Sequence, residues 1–245
     1  MRVLVVYAHP NPKSFTHAVL EEVERGLADG GHSFEVIDLY AIGFDPVLSP
    51  HDMTQFVHHT APEKLFGADD LRALIVDSAG NPIRRRMAKR WVRRKGLDEL
   101  VRIFEENRPA DVRVQQAKVA KADGFIFVAP VFWMAFPAIL KGWMERVFSY
   151  GFAYTLTREG WDGYLRGRVP LLAQEKALII TPTFFREDEY DTGWRDAMDT
   201  VLCEWSLKMA GVKEARHVYL YAVLAADAAT RQRYLQAAYE LARDF

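Results

Sequence analysis

Val3-Leu4-Val5-Val6-Tyr7-Ala8-His9-Pro10-Asn11-Pro12-Lys13-Ser14-Phe15 opens the chain with a β-branched apolar run, a proline-bearing loop and a serine that can start a helix. A second stretch has the same plan: Phe125-Ile126-Phe127-Val128, then Ala129-Pro130-Val131-Phe132-Trp133-Met134-Ala135-Phe136-Pro137, then a strongly periodic segment. Each reads as strand, loop and helix. Continuous apolar runs, rather than strict alternation, mark strands covered on both faces. In an open parallel sheet, ligands bind outside the carboxyl ends of the strands, so loops after two neighbouring strands face one pocket. Ser14 is a good N-cap, and the helix it opens presents unpaired amides and a positive dipole end, which suits a phosphate. The second loop offers apolar and aromatic surface for a flat ring.

Outward from these stretches, strands and helices alternate. Residues 15–28 read as a helix stopped by Gly30-Gly31, and residues 34–37 as a second strand. From 38 to 52 the chain is irregular, with Pro46 and Pro50. Residues 177–181 and 217–221 supply two more strands. Residues 137–150 are helical, with Leu140, Trp143, Met144, Val147 and Phe148 on one stripe and Lys141, Glu145 and Arg146 off it. Segments 194–210 and 228–243 complete the helices. The prediction is an α/β, doubly wound, five-stranded parallel sheet, in a single domain over residues 1–245.

More than eighty residues separate the second and third strands, far beyond an ordinary crossover. A helical insertion at about residues 61–108 accounts for them. Within it Arg84, Arg85, Arg86, Lys89, Arg90, Arg93, Arg94 and Lys95 form a basic run, and Ile83, Met87 and Trp91 recur at helical spacing. That apolar stripe is expected to pack inward and the charges to face solvent.

At 245 residues, half of them hydrophobic, the chain can bury a full core. A net charge of −1 gives no global field pointing to nucleic acid. Cys203 is the single cysteine, which excludes an intramolecular disulfide and a cysteine-rich zinc site and fits a reducing compartment. A strand begins at once, with no charged and apolar leader, and no run could span a bilayer. A cytoplasmic protein is expected. A hydrolase elbow of the Gly-x-Ser-x-Gly type is missing, as is a Gly-x-Gly-x-x-Gly after the first strand.

Three segments resemble the flavodoxin-like NAD(P)H quinone oxidoreductases. They are Val3 through Tyr7 with His9, Ser14 and Phe15; Asp38-Leu39-Tyr40-Ala41-Ile42-Gly43-Phe44-Asp45-Pro46; and Pro137-Ala138-Ile139-Leu140-Lys141-Gly142-Trp143-Met144-Glu145-Arg146-Val147-Phe148, continued by Phe152-Ala153-Tyr154-Thr155. The last is the most specific. The resemblance implies a flavin, FAD or alternatively FMN, bound tightly but not covalently, with NAD(P)H as co-substrate and a quinone-like acceptor. It also implies a homodimer in which a second protomer completes the pocket. Carried over by position, His9, Ser14, Phe15 and Thr16 line the flavin phosphates and ribityl chain. Pro130, Val131, Phe132, Trp133 and Met134 lie along the isoalloxazine, largely through backbone groups. Tyr154 matches a tyrosine of the substrate pocket.

The chain also departs from that pattern. Thr181-Pro182-Thr183-Phe184-Phe185 stands where many relatives have a glycine-rich turn, and Thr181 is counted with the cofactor residues. Leu156 replaces a second tyrosine, no counterpart of the active-site histidine is evident, and Tyr190 is assigned a neighbouring polar role. Local alternatives remain open: His9 as a loop histidine without ligand, and Phe132, Trp133 and Phe136 as core aromatics. The pair His58-His59 lacks a partner at metal-ligand spacing, so no metal is expected, and Glu187-Asp188-Glu189 reads as a solvated loop. The basic run is either a solvated helix face or a docking surface for acidic lipid or a membrane partner. Two further functional readings are an ancillary flavoprotein regulating a membrane transporter, and a nitro or azo reductase.

Overall fold

The computed structural model describes residues 1–49, 52–62 and 67–245; Pro50 and residues 63–66 of the expected insertion lie outside these. The strands are β1 (Arg2–Tyr7), β2 (Ser33–Asp38), β3 (Gly124–Val128), β4 (Tyr154–Leu156), β5 (Arg168–Pro170), β6 (Lys176–Pro182) and β7 (Glu214–Leu220). Five of them form one parallel sheet in the order β2-β1-β3-β6-β7, while β4 and β5 make a separate antiparallel pair. The long helices are α1 (Phe15–Asp29), α2 (Ala68–Ser78), α3 (Pro82–Val92), α4 (Leu97–Glu106), α5 (Ala110–Val119) and α6 (Ala138–Val147). Short turns α7 (Arg158–Trp161), α8 (Glu187–Tyr190) and α9 (Trp194–Asp199) precede the terminal α10 (Ala228–Arg243).

Both faces of the sheet are covered, as the apolar runs require. On one, Val3, Val5, Ile126 and Ile180 pack beneath Val19, Val23 and Leu27 of α1 and Ala238 and Ala242 of α10. On the other, Leu4, Val6, Phe127 and Ile179 meet Leu140, Trp143 and Val147 of α6 and Leu202 and Leu207 beyond α9. The segment expected as one helix over 194–210 changes its winding: α9 is followed by a wider π-type stretch, Thr200–Leu207, and a 3₁₀ turn, Lys208–Ala210. Gly211 ends it at φ 118, where an added Cβ would lie 2.0 Å from the Leu172 carbonyl oxygen.

Two of the segments that carry the resemblance interlock. A Cβ on Gly142 of α6 would lie 2.2 Å from the carbonyl oxygen of Pro46, so glycine is what lets the loop after β2 rest on the helix. One turn on, the buried Arg146 donates to Asp52 Oδ1 at 2.9 Å, to the Asp45 carbonyl at 2.7 Å and to Asp111 Oδ2 at 2.6 Å. Burial alone would raise the Asp52 carboxyl, but hydrogen bonds from Ser49 and the Arg146 guanidinium hold it below its ordinary value.

The helices α2, α3 and α4 lie between β2 and β3 and carry a small core of their own: Val57, Leu71, Val92, Leu100 and Val101. The apolar stripe of α3 does not pack inward. Ile83, Met87 and Trp91 are 74%, 66% and 54% exposed, and Val92 is the buried residue of that helix. The small core is filled without the stripe, and among the described residues no second layer lies over α3 to receive it.

Candidate functional site

The site forms at the carboxyl ends of β1, β3 and β6. Strand β1 ends at Tyr7, paired with Val128 of β3, so the two loops leave the sheet side by side. Their side chains meet: the rings of His9 and Phe132 are 6.0 Å apart.

In the first loop, Ser14 caps α1 by accepting from the His17 amide at 3.1 Å. Phe15 and Thr16 occupy the first two helical positions, whose amides have no carbonyl a turn back to bond. Asn11 Oδ1 accepts from the Lys13 amide at 2.9 Å and shapes the turn. His9 Nδ1 lies 3.0 Å from the Asn11 amide nitrogen and 3.1 Å from its carbonyl oxygen. In the tautomer that accepts the amide hydrogen, Nε2–H is free to donate. Burial lowers the His9 pKa, the Asn11 contact opposing it, which favours the neutral ring.

In the second loop, Val131 donates to the Pro182 carbonyl at 3.3 Å, and Phe132 and Ala135 exchange backbone bonds across a tight turn. The two residues inside that turn, Trp133 and Met134, have φ of 49° and 67°. Left-handed backbone at two non-glycine residues costs of order 1 kcal/mol each and persists only where surroundings impose it. Its effect is to hold Trp133 97% exposed, which rules out the reading of Trp133 as a core aromatic. Phe136, by contrast, is buried.

A cavity of about 660 Å³ opens against this turn, lined by Val131, Trp133, Met134, Phe184, Phe185, Glu189, Tyr190 and Trp194. A larger groove of about 820 Å³, which includes Lys176, Glu214 and Phe245, lies at the opposite, amino-terminal end of β6 and β7, away from where open α/β sheets bind ligands. Phe184, Phe185, Glu189 and Trp194 were not anticipated as site residues. Their only signal is position: they follow β6, the neighbour of β3, just as the two ligand-facing loops follow β1 and β3. Tyr190 is in the cavity wall, its ring stacked on Trp194 at 4.9 Å. Burial raises its phenol pKa, with a Thr183 hydrogen bond pulling the other way, so it is a neutral donor.

The other residues assigned to the site fall elsewhere. Tyr154 lies on β4, with the Arg168 guanidinium 4.3 Å from its ring centroid and Tyr150 at its edge; it does not line the cavity. Thr181 is fully buried, and its hydroxyl is 2.8 Å from His217 Nε2. Asp199 accepts from His217 Nδ1 at 2.9 Å and from the Tyr219 hydroxyl at 2.7 Å. Burial keeps that histidine neutral, so the chain runs from the Thr181 hydroxyl through the ring to the carboxylate. Its side chains lie below the site, and only the backbone of Thr181 can reach a ligand there.

The expectation that His58 and His59 lack a carboxylate partner also changes. Glu105 of α4 lies 3.5 and 3.4 Å from the two rings. The ring centroids are 3.9 Å apart with the planes tilted by 38°, and the two imidazoles and the Glu105 carboxylate offer ligand atoms within 4.8 Å of one another, a spacing open to a metal ion. The charge of the nearby Arg108 opposes a further cation. The arrangement is that of a polar cluster packed against Tyr150.

The donor set fits a phosphorylated, planar, aromatic cofactor: helix amides, Ser14 and His9 for the phosphate, then exposed aromatic and backbone surface a few ångströms away. The family model described as flavodoxin-like fold matches residues 1–242. The chain is 30% identical over 172 residues to ribosyldihydronicotinamide dehydrogenase [quinone] of Mus musculus, a match covering 70% of this chain and 62% of that one. It is 34% identical over 156 residues to NAD(P)H dehydrogenase [quinone] 1 of Cavia porcellus, covering 63% and 45%. The chain thus spans less than two thirds of the length of these curated relatives. Among solved structures, an NAD(P)H:quinone oxidoreductase from Methanothermobacter marburgensis superposes with a TM-score of 0.66 at 27% identity, covering 100% of this chain and 95% of that one.

Proposed function

This chain belongs to the flavodoxin-like fold family, and from that premise we propose that it is a flavin-dependent oxidoreductase carrying a hydride from NAD(P)H to a quinone-like acceptor. The observation that carries this reading is Trp133, held out by a strained turn at the mouth of an aromatic cavity, beside a helix N-terminus suited to a phosphate. When bound, a flavin would supply the redox chemistry, hydride transfer between the nicotinamide and the acceptor. This chain's residues bind, orient and tune. Ser14, the amides of Phe15 and Thr16, and His9 Nε2–H hold the phosphate. Pro130, Val131, Phe132, Trp133 and Met134 support the ring, with Thr181 contributing through its backbone. The amides of Trp133 and Met134 in the strained turn, free among the described residues, would be donors for negative charge on such a ring. Tyr190, kept protonated, donates to a carbonyl oxygen of the acceptor.

Tyr154 lies outside the cavity of its own chain, which supports a homodimer in which it closes the partner's site. FAD is the cofactor proposed first, with FMN as the alternative. The whole chain acts as a single domain, and Cys203, buried with its thiol pushed up to about 11 by burial and then nearby carboxylates, is compatible with the cytoplasm. No helix among the described residues is long and apolar enough to cross a membrane. The three relatives described above are named as dehydrogenases or an oxidoreductase, which does not favour the transporter-regulating reading.

The test is spectroscopic and kinetic. The purified protein is expected to be yellow, to release FAD or FMN by mass, and to turn over small quinones with NADH or NADPH compared directly. A colourless protein that takes up neither flavin sinks the proposal.

A further inference from the structure

We propose that α3 is an interfacial helix that lays this protein on an anionic phospholipid bilayer. The proposal is independent of the activity proposed above. At about 100° per residue, Ile83, Met87 and Trp91 fall on one face of α3, its centre roughly 120° round the helix from that of the partly buried Ala88 and buried Val92 that hold the helix to its neighbours. The helix therefore turns three large apolar side chains outward. Arg84 borders that stripe on one side, and Arg86 and Arg90 on the other. Eight lysines and arginines lie between positions 84 and 95, and no acidic residue occurs from Asp77 to Asp98. Among the described residues only Lys95 of the eight has a carboxylate partner, Glu99.

This pattern matches a bilayer surface in both its halves. Apolar side chains enter the boundary between headgroups and acyl chains, and long cationic side chains reach back to the phosphates. Anionic lipids attract each cation near the surface. Trp91 has the Lys95 ammonium 4.5 Å from its ring centroid, an apolar body with a cation above it, which is the arrangement favoured at headgroup depth. Other occupants satisfy one half only. A second copy docking through the same helix sets the unanswered cations of one basic run against those of the other, and like charges across an interface are strongly unfavourable. A nucleic acid answers the charges and leaves Ile83, Met87 and Trp91 without apolar contact.

The experiment is co-sedimentation of the full chain with vesicles of phosphatidylcholine, alone and mixed with phosphatidylglycerol. Binding to the anionic vesicles is expected to be at least about tenfold tighter than to the neutral ones and to weaken with salt. The combined variant Ile83→Ser, Met87→Ser, Trp91→Ser keeps every charge, and it is expected to bind roughly tenfold more weakly or worse. If it folds poorly, Trp91→Ser alone carries the same comparison. The Trp91 contribution to emission, taken as the difference from Trp91→Phe, is expected to shift to the blue on anionic vesicles. Equal binding to both vesicle types overturns the proposal. So does unchanged binding of the serine variants, which assigns the face to polyanions, or a loss of self-association in those variants, which assigns it to a second copy.

Discussion

Two helices of this molecule carry apolar stripes of similar spacing and opposite fate. In α6, Leu140, Trp143 and Val147 are wholly buried against the sheet; in α3, Ile83, Met87 and Trp91 stand in solvent. The surroundings differ, not the periodicity. α6 lies over a sheet face broad enough to receive its whole stripe, and its single well-placed cation is answered by Asp52 and Asp111. α3 belongs to a three-helix group whose small core is already filled, and its cations are largely unanswered. Helical spacing states which residues share a face, and only the area of a facing layer decides which way that face turns.

The largest effect expected from this contrast is on folding stability. Trp143→Ala should cost about 3–5 kcal/mol, as for a fully buried tryptophan, while Trp91→Ala stays within about 0.5 kcal/mol. Denaturant titration of the two variants measures the gap, and equal costs would erase the distinction between the helices.

Next comes the ion pair that only α6 possesses. Asp52→Asn should cost about 1–3 kcal/mol at neutral pH, because Arg146 keeps Asp111 and the Asp45 carbonyl as partners. The Asp52 carboxyl is held below its unfolded value, so its contribution is complete above about pH 4 and is lost as pH falls through the lower, folded value. Unfolding midpoints of wild type and variant should therefore converge on acidification. A gap that stays constant to low pH would show that the charge is not what stabilises this contact.

The smallest stability effect is expected at Trp133. Trp133→Ala should change stability by less than about 0.5 kcal/mol while weakening flavin binding about tenfold or more, a loss of stacking surface. Thermal unfolding without flavin and fluorescence titration with it separate the two. A stable variant with undiminished flavin affinity would place the ring elsewhere.

Much of the frame was legible because strands buried on both faces must read as unbroken apolar runs, and the boundaries of α1 and α10 follow from the caps Ser14 and Asp227. Ser14 opening a helix just after a buried strand was legible too, since an N-cap is a local signal. For Thr181 the loop position hides the parity of the strand: it shares a face with Ala177 and Ile179, so its side chain turns into the core toward His217 and leaves only its backbone for the site. Phe184, Phe185 and Trp194 carry no local signal for a site, since the wall they form depends on β6 lying next to β3. Tyr154, matched to a substrate-pocket tyrosine, and Tyr190, given a neighbouring polar role, are separated by the fold, since only Tyr190 lines the cavity.

The separate core of the insertion has a consequence for how the molecule breathes. Val57, Leu71, Val92, Leu100 and Val101 make a cluster distinct from the two that sandwich the sheet, so α2, α3 and α4 can open without exposing Trp143 or Val5. Local openings of this kind need less free energy than global unfolding. Amide hydrogens of those three helices therefore exchange with solvent sooner than those of α6 and the central strands, and a lipid surface that captures α3 slows the exchange of that group alone.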